Sequence, residues 1–309
     1  MPIERSTPLF LVSGFLGAGK TTFINNLITS YPDSRFGIIV NDFGEIGVDA
    51  FLIKNQERNI VKELNNGQIF CSCLSGSFVK SVSEYSEIDI DYLLVETSGL
   101  AKPSPLFDIL GEVKKLNGRR FIYHGMISIV DSSSYLKLSK VLNAVNEQIF
   151  YSDLVLMNKI DQTDSEAVKR VEMEILAVNP QVRILRTEFG RAPGELLEGM
   201  KEKTEIAAAD RRFSGWGSGR PVPLSLRSKT PVPKKRLEVF INSISDVYYR
   251  LKGGIESDEG PLFIDCTRGQ MKITIGSLTT DGLVVILPAD DNIVRDVRKR
   301  ASELFDLVS

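Results

Sequence analysis

An α/β domain with a mainly parallel sheet, followed by a smaller C-terminal α+β domain, is the architecture this sequence predicts. Three observations carry it. The first two-thirds of the chain alternate short apolar runs with amphipathic stretches, as strands and covering helices do. Near the start, a buried-looking strand leads through a glycine-rich loop into a helix. Beyond 232, strand-like runs are grouped together and a helix closes the chain. The expected division is a first domain over 1–205, a basic linker over 206–231 and a second domain over 232–309.

Taken in order, Leu9–Val12 reads as the first strand, and Phe23, Ile24, Leu27 and Ile28 mark the inward face of the first helix. Phe36–Val40, Tyr92–Val95, Met126–Val130 and Leu154–Met157 read as further buried strands. Ser104–Leu116 reads as a helix, with Leu106, Ile109, Leu110, Val113 and Leu116 on one face. Asp164 can cap another, with Val168, Val171, Ile175 and Val178 inward and Asn179-Pro180 ending it. From Arg211 to Arg236 there are eight Lys/Arg and no Asp/Glu among Gly, Ser and Pro; this reads as a solvated linker, with Trp216 covering a domain junction. Leu237–Ile241, Leu262–Cys266, Met271–Ile275 and Leu283–Leu287 read as strands, and Ile293, Val297, Ala301 and Leu304 as a closing helix. Cys266 and the single histidine, His124, read as structural residues beside apolar strands.

Composition narrows the class. The 309 residues are 42% hydrophobic and 25% charged, in the range of soluble globular proteins. A net charge of −2 points to neither nucleic acid nor a membrane as partner. Three cysteines make no disulfide framework, so a reducing cytoplasm is expected. The apolar run Leu9–Leu16 is too short to span a bilayer.

Three motifs carry chemistry. Gly14–Thr21 fits G-x-x-x-x-G-K-[ST] at every fixed position. Glycines such as Gly14, Gly17 and Gly19, with Ala18, let backbone N–H groups close around phosphates. Lys20 supplies charge to the β/γ-phosphates, the Thr21 hydroxyl can ligate Mg²⁺, and Thr22 follows in the first helical turn. Next, a strand ends at Glu96, with Gly99 three residues on. That carboxylate can hold Mg²⁺ through water, and the Gly99 N–H can sense the γ-phosphate. Finally, Asn158-Lys159-Ile160-Asp161 fits N-K-x-D. Asp161 can accept from both N1–H and the 2-amino group of guanine; Asn158 can bond the other base edge, and the Lys159 stem can lie on the base face. A site built this way rejects an analogue lacking those donors, by as much as about 10⁴-fold. GTP with Mg²⁺ is the expected pair of cofactors.

With these motifs in order, GFLGAGKTT (14–22), NDFGEIGVD (41–49), ETSGLAKP (96–103) and NKID (158–161) resemble the CobW family, relatives of the nickel-insertion GTPases of urease and hydrogenase. The resemblance is dense over 8–190 and thin beyond, where YRLKG (249–253) is similar to a run in the family's C-terminal domain. It implies a P-loop NTPase fold and a GTP-hydrolysing metallochaperone or activator of a metal or cobalamin enzyme. That family carries G-C-x-C-C between its first switch and the Glu-x-x-Gly strand. Here the run is Gly67–Cys73, with Gln68 and Phe70 where thiols are expected, Cys71 matching and Cys73 added. Asp42 stands where the family has a glutamate that can join the thiolates. Cys71, Cys73 and Asp42 are thus three candidate ligands for a soft or borderline ion such as Zn²⁺ or Co²⁺. Ordinary turn residues, with the metal function lost, are the alternative. Glu45 falls in the first-switch region and can orient the attacking water or be a solvated charge.

The expectation is a slow, cytoplasmic GTPase in which Lys20, Glu96 and Glu45 act on GTP. Its cycle would deliver a metal ion or metal cofactor to a client metalloenzyme or corrinoid protein, with a nucleotide-dependent dimer admitted. The rivals are a metal-independent gatekeeper of a corrinoid enzyme, a metal-binding module with vestigial turnover, and a P-loop kinase, against which N-K-x-D weighs.

Overall fold

The structure is a computed structural model and describes residues 6–41, 59–64, 75–117, 120–203, 222–228, 230–267, 270–276, 282–288 and 290–308. The chain divides into two compact units.

The first unit runs β1 (Thr7–Ser13), α1 (Lys20–Ser30), β2 (Phe36–Asn41), β3 (Ile60–Leu64), α2 (Ser75–Tyr85), β4 (Tyr92–Glu96), α3 (Ser104–Asn117), β5 (Phe121–Asp131), α4 (Tyr135–Leu138), α5 (Asn143–Phe150), β6 (Leu154–Asn158), α6 (Ser165–Val178) and β7 (Arg183–Arg186). Among the described residues its strands form one sheet of order β3-β2-β4-β1-β5-β6-β7, every pairing parallel. Parallel strands need crossover helices, which cover both faces. Phe10, Val12, Ile38, Val40 and Leu94 face α1 through Phe23, Ile24, Leu27 and Ile28. Leu9, Leu11, Ile39, Leu93 and Val95 face Phe78 and Val82 of α2 and Leu106, Ile109 and Leu110 of α3. Each such side chain, fully buried, contributes about 1.5–3 kcal/mol. Successive residues of β1 therefore point into opposite cores, and the strand reads as a continuous apolar run.

Local signals behave as expected at α6. The Asp164 carboxylate accepts from the Ala167 N–H, and Val168, Val171 and Ile175 are buried. Leu116 departs from expectation. It sits in the last turn of α3 and is 69% exposed, because the buried face of that helix ends at Val113.

The second unit runs β8 (Val222–Arg227), α7 (Lys234–Ser243), β9 (Arg250–Ser257), β10 (Gly260–Thr267), β11 (Gln270–Ile275), β12 (Gly282–Leu287), α8 (Asp291–Ala301) and β13 (Asp306–Val308). Its described strands form an antiparallel sheet of order β11-β10-β9-β12-β8-β13. Two sequence readings are corrected here. Leu237–Ile241, expected as a strand, lies in α7. Leu237, Phe240 and Ile241 are buried while Val239 is 69% exposed, which is a helical period rather than a strand's alternation. Residues 222–227, assigned to the basic linker by composition, form β8, which pairs with β12 and buries Leu224 and Leu226. Cys266 is buried in this core, and His124 in the first unit donates from Nδ1 to the Met200 carbonyl, 2.9 Å away, beside the Phe10 ring. No helix among the described residues is long and apolar enough to cross a membrane.

Candidate nucleotide site

The loop between β1 and α1 is shaped by glycine. Gly14, Gly17 and Gly19 have φ of 139°, 75° and 107°, in the region that side chains avoid. A Cβ at Gly14 would stand 2.3 Å from the Ile129 carbonyl oxygen, and one at Gly19 would stand 2.6 Å from Asn158 Nδ2. The loop is therefore threaded between β5 and β6 with no room for a larger residue. The Phe15 carbonyl accepts from the Ala18 N–H at 3.1 Å, closing the turn.

Lys20 opens α1 and is 6% exposed. Its Nζ donates to the Gly14 carbonyl at 3.1 Å and lies 4.0 Å from Glu96 Oε1, at the end of β4. Glu96 is 2% exposed. At an effective dielectric near 20, opposite charges at this separation attract by about 4 kcal/mol. Desolvation costs several kcal/mol per ion, so the pair is close to break-even. An anion of higher charge arriving at the loop can thus draw the ammonium without a large loss. Thr21 is half-buried and Thr22 exposed in the first turn of α1. Gly99 abuts the loop from the other side, where a Cβ would come within 2.8 Å of the Leu16 amide nitrogen.

The N-K-x-D residues sit at the end of β6. Asn158 is 3% exposed, and its amide is used at both ends: Nδ2 donates to the Ala18 carbonyl at 2.8 Å, and Oδ1 accepts from the Gly190 N–H at 2.9 Å. The side chain thus ties the phosphate loop to the loop after β7, and the amide keeps a second N–H beyond the one given to Ala18. Lys159 Nζ pairs with Asp131 at 2.7 Å, which fixes the Lys159 stem. Asp161 lies exposed in a short 3₁₀ turn, Ile160–Gln162.

Sequence reading passed over the loop at 187–191. Its Thr187 N–H donates to the Met157 carbonyl at 2.8 Å, and Asn26 Nδ2 of α1 donates to the Phe189 carbonyl at 2.7 Å. The available signal was a glycine, Gly190, just past a short strand of the same sheet. Glu45, Asp42, Cys71 and Cys73 lie outside the described residues.

The described groups of the site gather at the carboxyl ends of β1, β4, β5, β6 and β7, where parallel sheets bind their ligands. The model of the CobW/HypB/UreG nucleotide-binding domain matches residues 8–186. The chain belongs to this family. Similar curated proteins include zinc-regulated GTPase metalloprotein activator 1 of Dictyostelium discoideum, 29% identical over 60% of this chain and 46% of that one. The zinc chaperone CobW of Pseudomonas aeruginosa is 29% identical over 64% of this chain and 61% of its own. The zinc chaperone YjiA of Escherichia coli is 31% identical over 49% of this chain and 48% of its own. The chain spans about half the length of these curated relatives. The CobW resemblance read from the four motifs holds, and the phosphate-loop motif occupies the nucleotide-binding domain of that family.

Proposed function

We propose that this protein hydrolyses GTP to GDP and phosphate and uses the cycle to pass a transition metal, zinc before cobalt, to a client protein. The single observation that carries the reading is the joined geometry of Lys20, Glu96 and Asn158. A buried cation lies beside a buried carboxylate at the phosphate loop, and the first residue of N-K-x-D is bonded to that same loop. Phosphate binding and base recognition are thus one mechanical unit. The names of the relatives, zinc-regulated GTPase activator and zinc chaperone, support the metal part.

Mg²⁺ fits the donors present. Glu96 offers a carboxylate and Thr21 a hydroxyl, both hard oxygen donors beside the phosphate loop. When bound there, Mg²⁺ neutralises charge on the β- and γ-phosphates. The chain's own part is positioning. The loop amides and Lys20 hold the phosphates, Asp161 selects the base, and the Gly99 N–H registers the γ-phosphate against Leu16. Glu45 orients the water. Asp42, Cys71 and Cys73 receive the cargo ion, and a first switch ordered by GTP brings Asp42 to the two thiolates.

The test is Zn²⁺ and Co²⁺ affinity measured with GDP and with a non-hydrolysable GTP analogue. Reciprocal coupling predicts a difference of about 5- to 150-fold between the two states. Replacing Cys71 and Cys73 by serine should abolish it while GTP turnover without metal persists. Equal metal affinity in both nucleotide states would overturn the coupled reading.

A further inference from the structure

Among the described residues, two that are not glycine have positive φ: Lys159 at 59° and Phe189 at 53°. For a bulky side chain this conformation is uncommon, and it persists only where the surroundings enforce it. Both residues flank Asn158. Lys159 follows it in the chain, and Gly190, next to Phe189, donates its N–H to Asn158 Oδ1 at 2.9 Å. On the other side of the same peptide unit, Asn26 holds the Phe189 carbonyl at 2.7 Å. Two amide side chains from different elements therefore clamp Phe189 in a backbone form that glycine would adopt freely. The clamp is not explained by packing of the ring, because Phe189 is 60% exposed.

We propose that Phe189 is the aromatic wall of the base pocket, stacking on the purine that Asp161 reads. This rests on the guanine-nucleotide reading above. The loop lies at the carboxyl edge of the sheet, one hydrogen bond from N-K-x-D, and its clamped backbone fixes the point from which the exposed ring projects. Every base has a π-face, so the stack raises affinity without choosing the base. Specificity stays with Asp161; Phe189 sets how tightly any purine nucleotide is held.

The experiment compares GDP, the non-hydrolysable GTP analogue and inorganic tripolyphosphate on wild type, Phe189→Ala and Phe189→Trp. Phe189→Ala should weaken GDP and the GTP analogue alike by about 5- to 150-fold, the loss of one base–aromatic stack. Tripolyphosphate, which has no base, should bind unchanged, and Phe189→Trp should restore nucleotide affinity. Unchanged GDP affinity in Phe189→Ala would overturn the proposal. So would an equal loss of tripolyphosphate, since the loop would then act through the phosphate site. A wild type that binds ADP as tightly as GDP would instead defeat the guanine reading, leaving the effect of Phe189→Ala on both nucleotides as the separate measure of the stack.

Discussion

Asn158 and Ala18, 140 residues apart in sequence, are joined by a 2.8 Å hydrogen bond from the asparagine amide to the loop carbonyl. The residue that opens the base-recognition motif thus also holds the phosphate loop in shape. Asn158→Ala would leave the Ala18 carbonyl and the Gly190 N–H without their partner, at about 1–3 kcal/mol for each group that stays buried and unsatisfied. Urea unfolding should show that loss, and nucleotide affinity should fall with it. Unchanged stability and affinity together would contradict the tie.

Lys20→Ala should be destabilising as well as inactivating. Removing one member of a buried ion pair leaves an uncompensated charge, which costs about 3–5 kcal/mol. Adding Glu96→Gln removes that charge and should recover part of the stability without recovering turnover. Denaturation midpoints of wild type, the single variant and the double variant give the answer. A double variant less stable than Lys20→Ala would show that Lys20 and Glu96 are not coupled.

Gly14→Ala tests the threading of the loop. The added methyl would meet the Ile129 carbonyl at 2.3 Å with φ at 139°, so either β5 or the loop must shift. A loss of about 2 kcal/mol or more is expected, with nucleotide binding abolished. Gly194→Ala, where a Cβ meets nothing within 4 Å, is the control and should leave both unchanged.

Alkaline pH should unfold the protein. Burial pushes the phenols of Tyr31, Tyr85, Tyr123, Tyr135 and Tyr248 above the ordinary tyrosine value. A folded-state pKa that is raised contributes stability fully present below the unfolded value, near 10, and lost as pH rises above it. Phenolate absorbance followed with circular dichroism should show these tyrosines ionising together with loss of structure. Smooth ionisation of every tyrosine near pH 10 with the fold intact would contradict their burial.

Much of the first unit was legible because its signals are local. Lys20 follows glycines that only a phosphate loop requires, Asp164 caps its helix through Ala167, and the strands of a parallel sheet are apolar on both faces. The second unit was less legible. Leu237–Ile241 is rich in residues that favour strands, and the helical period emerges only when Val239 is seen to be exposed. At 222–227 a proline and an arginine hid an antiparallel strand in which only two residues, Leu224 and Leu226, are buried. In the site, the ties of Asn158 to Ala18 and Gly190 were not legible, because those partners are distant in sequence. Phe189 carried no motif; its meaning lies in a backbone angle and two side-chain clamps.

Under the proposed function, the site reads guanine through Asp161. The most direct measurement is the affinity of wild type and Asp161→Asn for GTP, ATP and xanthosine triphosphate. The wild type should prefer GTP to ATP by about 10²-fold or more, since Asp161 would face an edge of adenine that lacks both donors. Asp161→Asn should lose GTP and gain xanthosine triphosphate, because its amide N–H₂ meets the 2-oxo group that replaces the 2-amino group. Equal wild-type affinity for GTP and ATP, unchanged by Asp161→Asn, would contradict the account.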